Sequence, residues 1–308
     1  MDVRARVMEI NAARQQALDR VDRELSRELS RVYEAARREL EGVIQNRRRQ
    51  LAQVRGTGRN EALTLEYLAR DETLYTQVDA RMTALRSEVG DRARIAQVRG
   101  LEIGQATAKD ELDATTRGLD MGVYFNLALI NFGTIEIGLE EALVALETQD
   151  AALAQALRSG LRLGLIQGES FDDLALRLWG TDASVFSRGL TSALLGARRS
   201  VITAENGARD LVYKQYAEQI PGLMKQAVAA ISGETTECCL RVHGQIQPLD
   251  KPYQLTGDPR FADEMMYPAF HWNCRTCSVA YHPDFEKGSR MTTSGMIEAA
   301  KEELRVRS

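Results

Sequence analysis

The first 55 residues alternate between apolar and charged side chains with the period of an α-helix. Steps of three and four residues place one narrow apolar stripe on a helix that is otherwise covered by Arg and Glu. The stripe consists of Val3, Val7, Ile10, Ala17, Val21, Leu25, Val32, Ala36, Leu40 and Val43. We predict one helix from Asp2 to about Arg55, roughly 75 Å long. Such a helix needs a partner to cover its stripe.

A second helical pattern follows the segment GTGRN, residues 56–60, whose glycines favour a turn. This pattern predicts a helix from about Asp71 to Leu119, with an apolar face formed by Leu74, Val78, Met82, Leu85, Val89 and Val98. We therefore expect residues 1–119 to form a long antiparallel helical hairpin. The exposed part of its stripe would then be available to other subunits.

The pattern changes twice in the remainder of the chain. Residues 120–230 keep a helical period, with Ser170 as the expected N-cap of a helix at 171–178 and a long amphipathic helix that ends before Pro221. Residues 231–285 are rich in Pro and Gly and predict loops and short strands. The predicted fold class is thus mainly α: a hairpin, a central helical region, a small α+β module with a hairpin held by Cys and His, and a C-terminal helix or tail at 286–308.

Composition agrees with a helical, non-membrane protein. Of 308 residues, 44% are hydrophobic and only 6% aromatic, a balance that favours helices over sheets. The most apolar window, residues 121–138, contains Asn126, Asn131 and Glu136, so a buried core segment is the better interpretation than a membrane span. The N-terminus has no secretory pattern. We therefore expect synthesis in a reducing cytoplasm, where disulfides are not the default.

Three consecutive arginines, Arg47, Arg48 and Arg49, lie close to the predicted tip of the hairpin. Arginines are favoured near the negative end of a helix dipole, so a solvated helix end is the simpler interpretation. The alternative hypothesis is a non-specific contact with the phosphates of double-stranded DNA. The net charge of -4 argues against a dedicated nucleic-acid binder.

All four cysteines and all three histidines lie between positions 238 and 282. Zinc binds Cys and His in tetrahedral sites whose ligands are often paired at short spacing. Cys239, His271, Cys274 and Cys277 could form a structural zinc site, because Cys238 and Cys239 are adjacent and only one of them can share the ion. Three other interpretations remain open: buried packing without metal, a disulfide, and a Cys239 nucleophile with His271 as its base.

The two Cys-containing stretches resemble the signature of the phage Mu F-like minor head proteins, the head-morphogenesis family. The resemblance covers about residues 155–283 and is most specific in its His-x-Asn-Cys-Arg part. It is carried by Thr235, Cys239, Gly244, Pro268, His271, Asn273, Cys274 and Arg275, and upstream by Glu205 and Tyr213. Many family members have Cys-x-x-Cys in the first stretch, where this chain has Thr236 and adjacent cysteines, and Trp272 stands where Pro is usual.

This resemblance implies a structural protein of the virion rather than an enzyme. Such a minor capsid protein is made in the host cytoplasm and lies inside the phage head near the portal, where it acts in head assembly, genome packaging or ejection. Its expected partners are the portal protein, other head proteins and sister copies contacted through the N-terminal helices, with no membrane contact. The alternative is a Cys–His or metal-dependent hydrolase delivered with the virion.

Overall fold

Long helices dominate the computed structural model, which describes residues 2–56, 60–123, 125, 151–167, 169–180, 184–287, 289 and 292–307. Helix α1 spans Val3–Val54 and α3 spans Glu72–Gly118, which confirms both predicted N-terminal helices. Between them lies a short helix, α2 (Glu61–Ala69), that the sequence pattern did not predict. Its N-cap is Asn60, whose side chain accepts a hydrogen bond from the Leu63 amide at 3.1 Å.

Ion pairs between α1 and α3 establish that the two helices run antiparallel. Arg47 contacts Asp71, the residue just before α3, Glu39 lies 2.5 Å from Arg81, and Glu28 lies 3.9 Å from Arg92. Along these three pairs the residue number decreases on α1 while it increases towards and along α3, as an antiparallel pair requires. The predicted hairpin is therefore confirmed.

Most of the apolar stripe on α1 is covered within the chain itself. Val7, Val21, Leu25 and Leu40 are buried, and so are four residues outside the predicted stripe, namely Leu18, Leu29, Tyr33 and Ile44. The apolar face is therefore wider than the sequence indicated and is not a free surface. Contact with sister copies through these helices stays a prediction. On α3 the predicted face is buried from Leu74 to Val89, but Val98 is half exposed.

The central region is helical wherever the structure describes it. Residues 151–166 are helical (α4), α5 spans Phe171–Ala175 and continues as one π-helical turn, Leu176–Gly180, and α6 spans Val185–Tyr216. The predicted cap is confirmed, since Ser170 Oγ accepts a hydrogen bond from the Asp173 amide at 3.1 Å. The predicted buried segment at 121–138 lies largely outside the described residues. Of its members, Phe125 is buried edge-on against Tyr216.

The C-terminal module contains the predicted short strands, but its first strand lies within the segment 120–230 that was predicted to be helical, and its helix at Glu237–Val242 was not predicted. Its elements are β1 (Met224–Val228), α7 (Glu237–Val242), β2 (Ile246–Gln247), β3 (Tyr253–Gln254), β4 (Glu264–Met265), β5 (Cys277–Tyr281), a 3-10 turn (Pro283–Glu286) and α8 (Thr293–Arg307). Strand β1 pairs antiparallel with β2 and β5, and β3 pairs with β4.

Strand β5 is buried along its whole length, so both of its faces pack against other elements. One face contributes Cys277, Val279 and Tyr281 to a core that also contains Val3 and Val7 of α1. On the strand's backbone, the Ser278 amide donates to Asn206 of α6 at 2.9 Å. The N-terminus of α1 and the middle of α6 therefore help to form the core of the C-terminal module.

Tertiary contacts divide the chain into two compact units. One consists of Met1–Arg23, Ile95–Ala142 and Arg198–Ser308, and the other of Glu24–Arg94 and Leu143–Ala197. The divisions fall inside α1, α3 and α6, so each unit is discontinuous in sequence, unlike the predicted segments 1–119, 120–230, 231–285 and 286–308. Within the described residues, no helix combines the length and the apolar character that crossing a membrane requires.

Candidate metal centre

Two separate segments bring soft ligand atoms together in the C-terminal module. Cys239 lies on α7, and His271 and Cys274 lie in the irregular segment that leads into β5. The start of α7 is set by a turn in which Thr235 Oγ1 donates to the carbonyl of Ala230 at 2.5 Å and accepts from the amide of Ser232 at 2.9 Å. This turn gives Thr235, a residue of the predicted motif, a clear local role.

The three ligand atoms lie close enough to share one ion. Cys239 Sγ is 3.1 Å from His271 Nε2 and 3.8 Å from Cys274 Sγ. All three ligand atoms lie within 4.8 Å of one another, and all three residues are buried. A tetrahedral site with metal–sulfur bonds of about 2.3 Å has a sulfur–sulfur edge of roughly 3.8 Å. Cys239, His271 and Cys274 could therefore hold a metal ion.

The surroundings shift the pKa values of the two sulfurs of this centre in opposite directions. Burial acts to raise the pKa of Cys274, but the hydrogen bond with Cys239 and the interactions with His271 outweigh it and hold the pKa well below its usual value. The pKa of Cys239 is raised by its hydrogen bonds with Cys238 and Cys274 and by burial. These directions favour a Cys274 thiolate that accepts a hydrogen bond from the Cys239 thiol. A thiolate is the form that binds metals.

The structure does not bring Cys277 into this centre, so its prediction as the fourth ligand is corrected. Its Sγ lies 3.5 Å from Asn11 Oδ1 and 3.6 Å from the carbonyl of Val228. Cys-x-x-C spacing brings two sulfurs to one ion when the chain turns between them, but here the chain enters β5 at Cys277. Its side chain consequently joins the core on one face of that strand. All four cysteines are free, so no disulfide links the two stretches.

Three further residues of the predicted motif, Gly244, Asn273 and Arg275, lie outside the cluster of ligands. Gly244 has a φ of +83°, and a Cβ atom there would lie 2.9 Å from Cγ1 of Ile297, so the position requires glycine. Asn273 and Arg275 are exposed and line a small cavity that also touches Thr235, Cys239 and His271. Asn273 and Arg275 of the predicted motif therefore lie beside the candidate centre.

Glu205 lies in a separate, buried network of charged side chains on α1, α3 and α6. It accepts two hydrogen bonds from Arg14, at 2.8 and 2.6 Å, and one from Arg209 at 3.2 Å. Arg209 also donates to Glu111 at 2.6 Å, and the hydroxyl of Tyr213 donates to the same carboxylate. Burial acts to raise the pKa of Glu205, but Arg14 and Arg209 hold it below its usual value.

Sequence reasoning found Glu205 and Tyr213 only through the resemblance and missed Arg14, Arg209 and Glu111. The available signal was the spacing of Glu205, Arg209 and Tyr213, which follow one another at four-residue steps and so share one face of α6. That the face is buried, and that α1 and α3 supply its partners, depends on tertiary packing that no local pattern specifies.

Two arginines of the 47–49 run are engaged in contacts within the chain. Arg47 forms a two-point ion pair with Asp71, with Nη2 donating to Oδ1 at 3.1 Å. Arg49 donates to the side chain of Asn46, one helical turn earlier. The Asp71 hydrogen bond raises the pKa of Arg47. These contacts agree with a structured helix end, and the DNA contact stays a prediction.

No family model, curated protein or solved structure that was compared with the chain matches it.

Proposed function

We propose that this chain is a structural protein of a phage head, of the Mu F-like minor capsid type, acting near the portal in head assembly or genome packaging and ejection. The observation that supports this is the convergence of the two motif stretches. Cys239 from the first stretch and His271 and Cys274 from the second contact each other, although 32 positions separate Cys239 from His271. A signature whose separated parts meet in space describes one structural unit.

The roles of the motif residues favour a structural function. Thr235 stabilises the turn before α7, Gly244 adopts a backbone conformation that other residues avoid, and Glu205 is buried in an ion-pair network. The cavity at the centre measures about 30 Å³, enough for water but not for a sizeable substrate. Each residue thus maintains the fold, which is what an adaptor between head proteins requires.

We further propose that zinc occupies the centre and links the two stretches. Two sulfurs and one imidazole nitrogen are soft and borderline donors, the set that zinc prefers over magnesium or calcium. Freshly purified, reduced protein should contain about one equivalent of zinc, and chelation should loosen residues 235–283. Metal analysis and hydrogen exchange measure these two results. Absence of metal would favour the hydrogen-bonded cluster without an ion.

A matched pair of variants makes this test specific. Cys274→Ser should abolish zinc binding, because it removes a ligand sulfur, whereas Cys277→Ser should keep it, because Cys277 lies outside the centre. Equal zinc loss in both variants would contradict the assignment of the ligands.

The head function itself is tested in purified particles of the parent phage. The wild-type chain should be present there together with the portal protein, and the Cys274→Ser chain should be depleted. Absence of the wild-type chain from particles would overturn it.

The second candidate is a metal-dependent hydrolase delivered with the virion. The observation that favours it is the number of protein ligands, since catalytic zinc is commonly held by three side chains and structural zinc by four. Substitution of His271 separates the two functions. An adaptor loses its fold or its incorporation, whereas a hydrolase is still incorporated into particles and loses an activity.

A further inference from the structure

The candidate centre has fewer protein ligands than a closed zinc site. A structural zinc site usually has four, but only Cys239, His271 and Cys274 form a cluster within the described residues. The chain has only four cysteines and three histidines, and each remaining one is placed elsewhere. Cys277 contacts Asn11, His243 accepts a hydrogen bond from the amide of Ala229, and His282 contacts the carbonyl of Pro221.

Cys238, the remaining candidate, is adjacent to Cys239 and is placed on another contact. Its Sγ lies 3.5 Å from the hydroxyl of Thr236, the residue at the N-cap of α7. Cys238 also hydrogen-bonds with Cys239, but it does not belong to the group whose ligand atoms all lie within 4.8 Å of one another. Among the described residues, no fourth Cys or His therefore joins the three-ligand cluster.

A small cavity adjoins the three-ligand cluster. Cys239 and His271 line it together with Thr235, Asn273, Arg275 and Thr276, and its volume is about 30 Å³. A water molecule needs roughly 10–15 Å³ measured with a probe of its own size, and it needs two to four polar partners. The cavity and its lining of hydroxyl and amide groups meet both requirements.

One side chain of this cavity has an unused hydrogen-bonding group. Thr276 is 1% exposed, and its hydroxyl finds no hydrogen-bond partner among the residues that the structure describes. Buried hydroxyls without partners are rare, because burial removes the hydrogen bonds that water would provide. The unused hydroxyl is an observation independent of the three ligands, and a polar guest in the cavity that Thr276 lines would give it a partner.

We propose that a solvent molecule in this cavity completes the coordination of the metal and hydrogen-bonds to the Thr276 hydroxyl, and that small monodentate anions can replace it. This inference rests on the proposed metal site and defines the part of it that the protein leaves open. A site of this kind exchanges its fourth ligand, whereas a site closed by four side chains does not. The exchange can therefore be measured without reference to any catalytic activity.

Cobalt(II) in place of zinc provides the measurement, because its absorption spectrum reports both thiolate ligands and coordination geometry. The full-length protein loaded with cobalt should show cobalt–thiolate absorption that Cys274→Ser abolishes. Addition of azide should then shift the visible bands in a saturable manner. Thr276→Val should weaken azide binding by about two- to tenfold, because an anion only accepts hydrogen bonds and loses a donor. Thr276→Ser, which keeps the hydroxyl, should bind azide like the wild type.

The outcomes separate this inference from the metal proposal. If cobalt gives no thiolate absorption, the metal site itself is wrong and the open position falls with it. If cobalt binds through the cysteines but azide leaves the spectrum unchanged, the metal site stands and the open position is overturned.

Glu234, an exposed carboxylate that also lines the cavity, is the protein group that could close the site. If the cobalt spectrum of Glu234→Gln differs from that of the wild type, and azide shifts the bands of the variant but not those of the wild type, Glu234 is the fourth ligand. That result also overturns the inference.

Discussion

The ion-pair network of α1, α3 and α6 and the Cys239–His271–Cys274 centre are both buried in the same compact unit, yet they satisfy their polar atoms differently. In the network, the guanidiniums of Arg14 and Arg209 balance the carboxylates of Glu205 and Glu111. The centre has three ligand atoms, a cavity and an unused hydroxyl. The network is complete from the chain's own residues, whereas the centre has room for the guest that we propose.

This difference predicts how each region responds to change. Removing one member of a complete buried network leaves its partner charged and desolvated, which is costly. The centre loses little within the protein when its guest is absent, because Cys239, His271 and Cys274 already contact one another. We therefore expect the network to contribute to stability with or without metal, and the proposed metal to add stability that rises with the logarithm of its concentration.

The largest expected effect comes from breaking the network with Arg209→Met. The substitution removes the guanidinium from between Glu111 and Glu205 and leaves both carboxylates with fewer partners, with Arg14 still beside Glu205. Loss of one partner from a buried ion pair costs about 3–5 kcal/mol. The free energy of unfolding, measured by chemical denaturation of the metal-free protein, should fall by that amount.

A surface ion pair provides the matched control. Arg37 and Glu34 lie one turn apart on α1, and both side chains are about a third or more exposed. Such pairs contribute about 0–1 kcal/mol, so Arg37→Met should have little effect. Similar losses in the two arginine variants would show that the network is not energetically distinct from the surface pairs.

A pH titration of stability should show the next largest effect, through His243. Burial and the charge of Arg4 lower the pKa of His243 to about 4 from 6.5, and its Nδ1 accepts a hydrogen bond from the amide of Ala229 at 2.9 Å. Above pH 6.5 the imidazole is neutral in both states and the contribution is complete. As the pH falls from 6.5 to 4, only the unfolded state takes up the proton, so stability falls by about 3 kcal/mol. Below pH 4 this group has no further effect.

His243→Asn separates this contribution from that of the carboxylates. The Asn side chain can present an acceptor near the position of Nδ1 but does not titrate in this range. The stability of the variant should therefore depend less on pH between 6.5 and 4 than that of the wild type. Parallel curves for the two proteins would mean that His243 is protonated as readily in the fold as in the unfolded chain.

The same comparison explains how much of the molecule could be predicted from its sequence. Periodicity is a local property, and it correctly predicted the helices α1, α3 and α6. Short elements such as α2 carry too few turns to show a period, so the pattern missed it. Within the site, Cys239, His271 and Cys274 could be selected by residue type and spacing. Cys277 could not be excluded, because the direction of a side chain depends on where the strand begins.

The partners of Glu205 were beyond the reach of sequence reasoning for a related reason. Arg14 is 191 positions away from Glu205, and Glu111 is 98 positions away from Arg209. A charged residue that has no partner nearby in the sequence is usually predicted to be solvated, since charged side chains are rarely buried without partners. Only the packing of three helices reveals that each of these charges is buried and paired.

The smallest expected effect concerns the arginine run, which contrasts with the network because its charges lie near solvent. Changing Arg47, Arg48 and Arg49 to Gln removes the ion pair of Arg47 with Asp71. In this pair the Arg47 side chain is partly exposed and the Asp71 side chain is nearly buried. The loss in the free energy of unfolding should be about 1 kcal/mol or less.

If the arginine run contacted DNA, each phosphate that it neutralises would contribute about -0.9 to the slope of log affinity against log salt concentration. We expect duplex binding at two salt concentrations to give the same affinity and slope for variant and wild type, because Arg47 and Arg49 already have partners within the chain. A slope that is shallower in the variant by about one or more would instead assign this helix end to DNA.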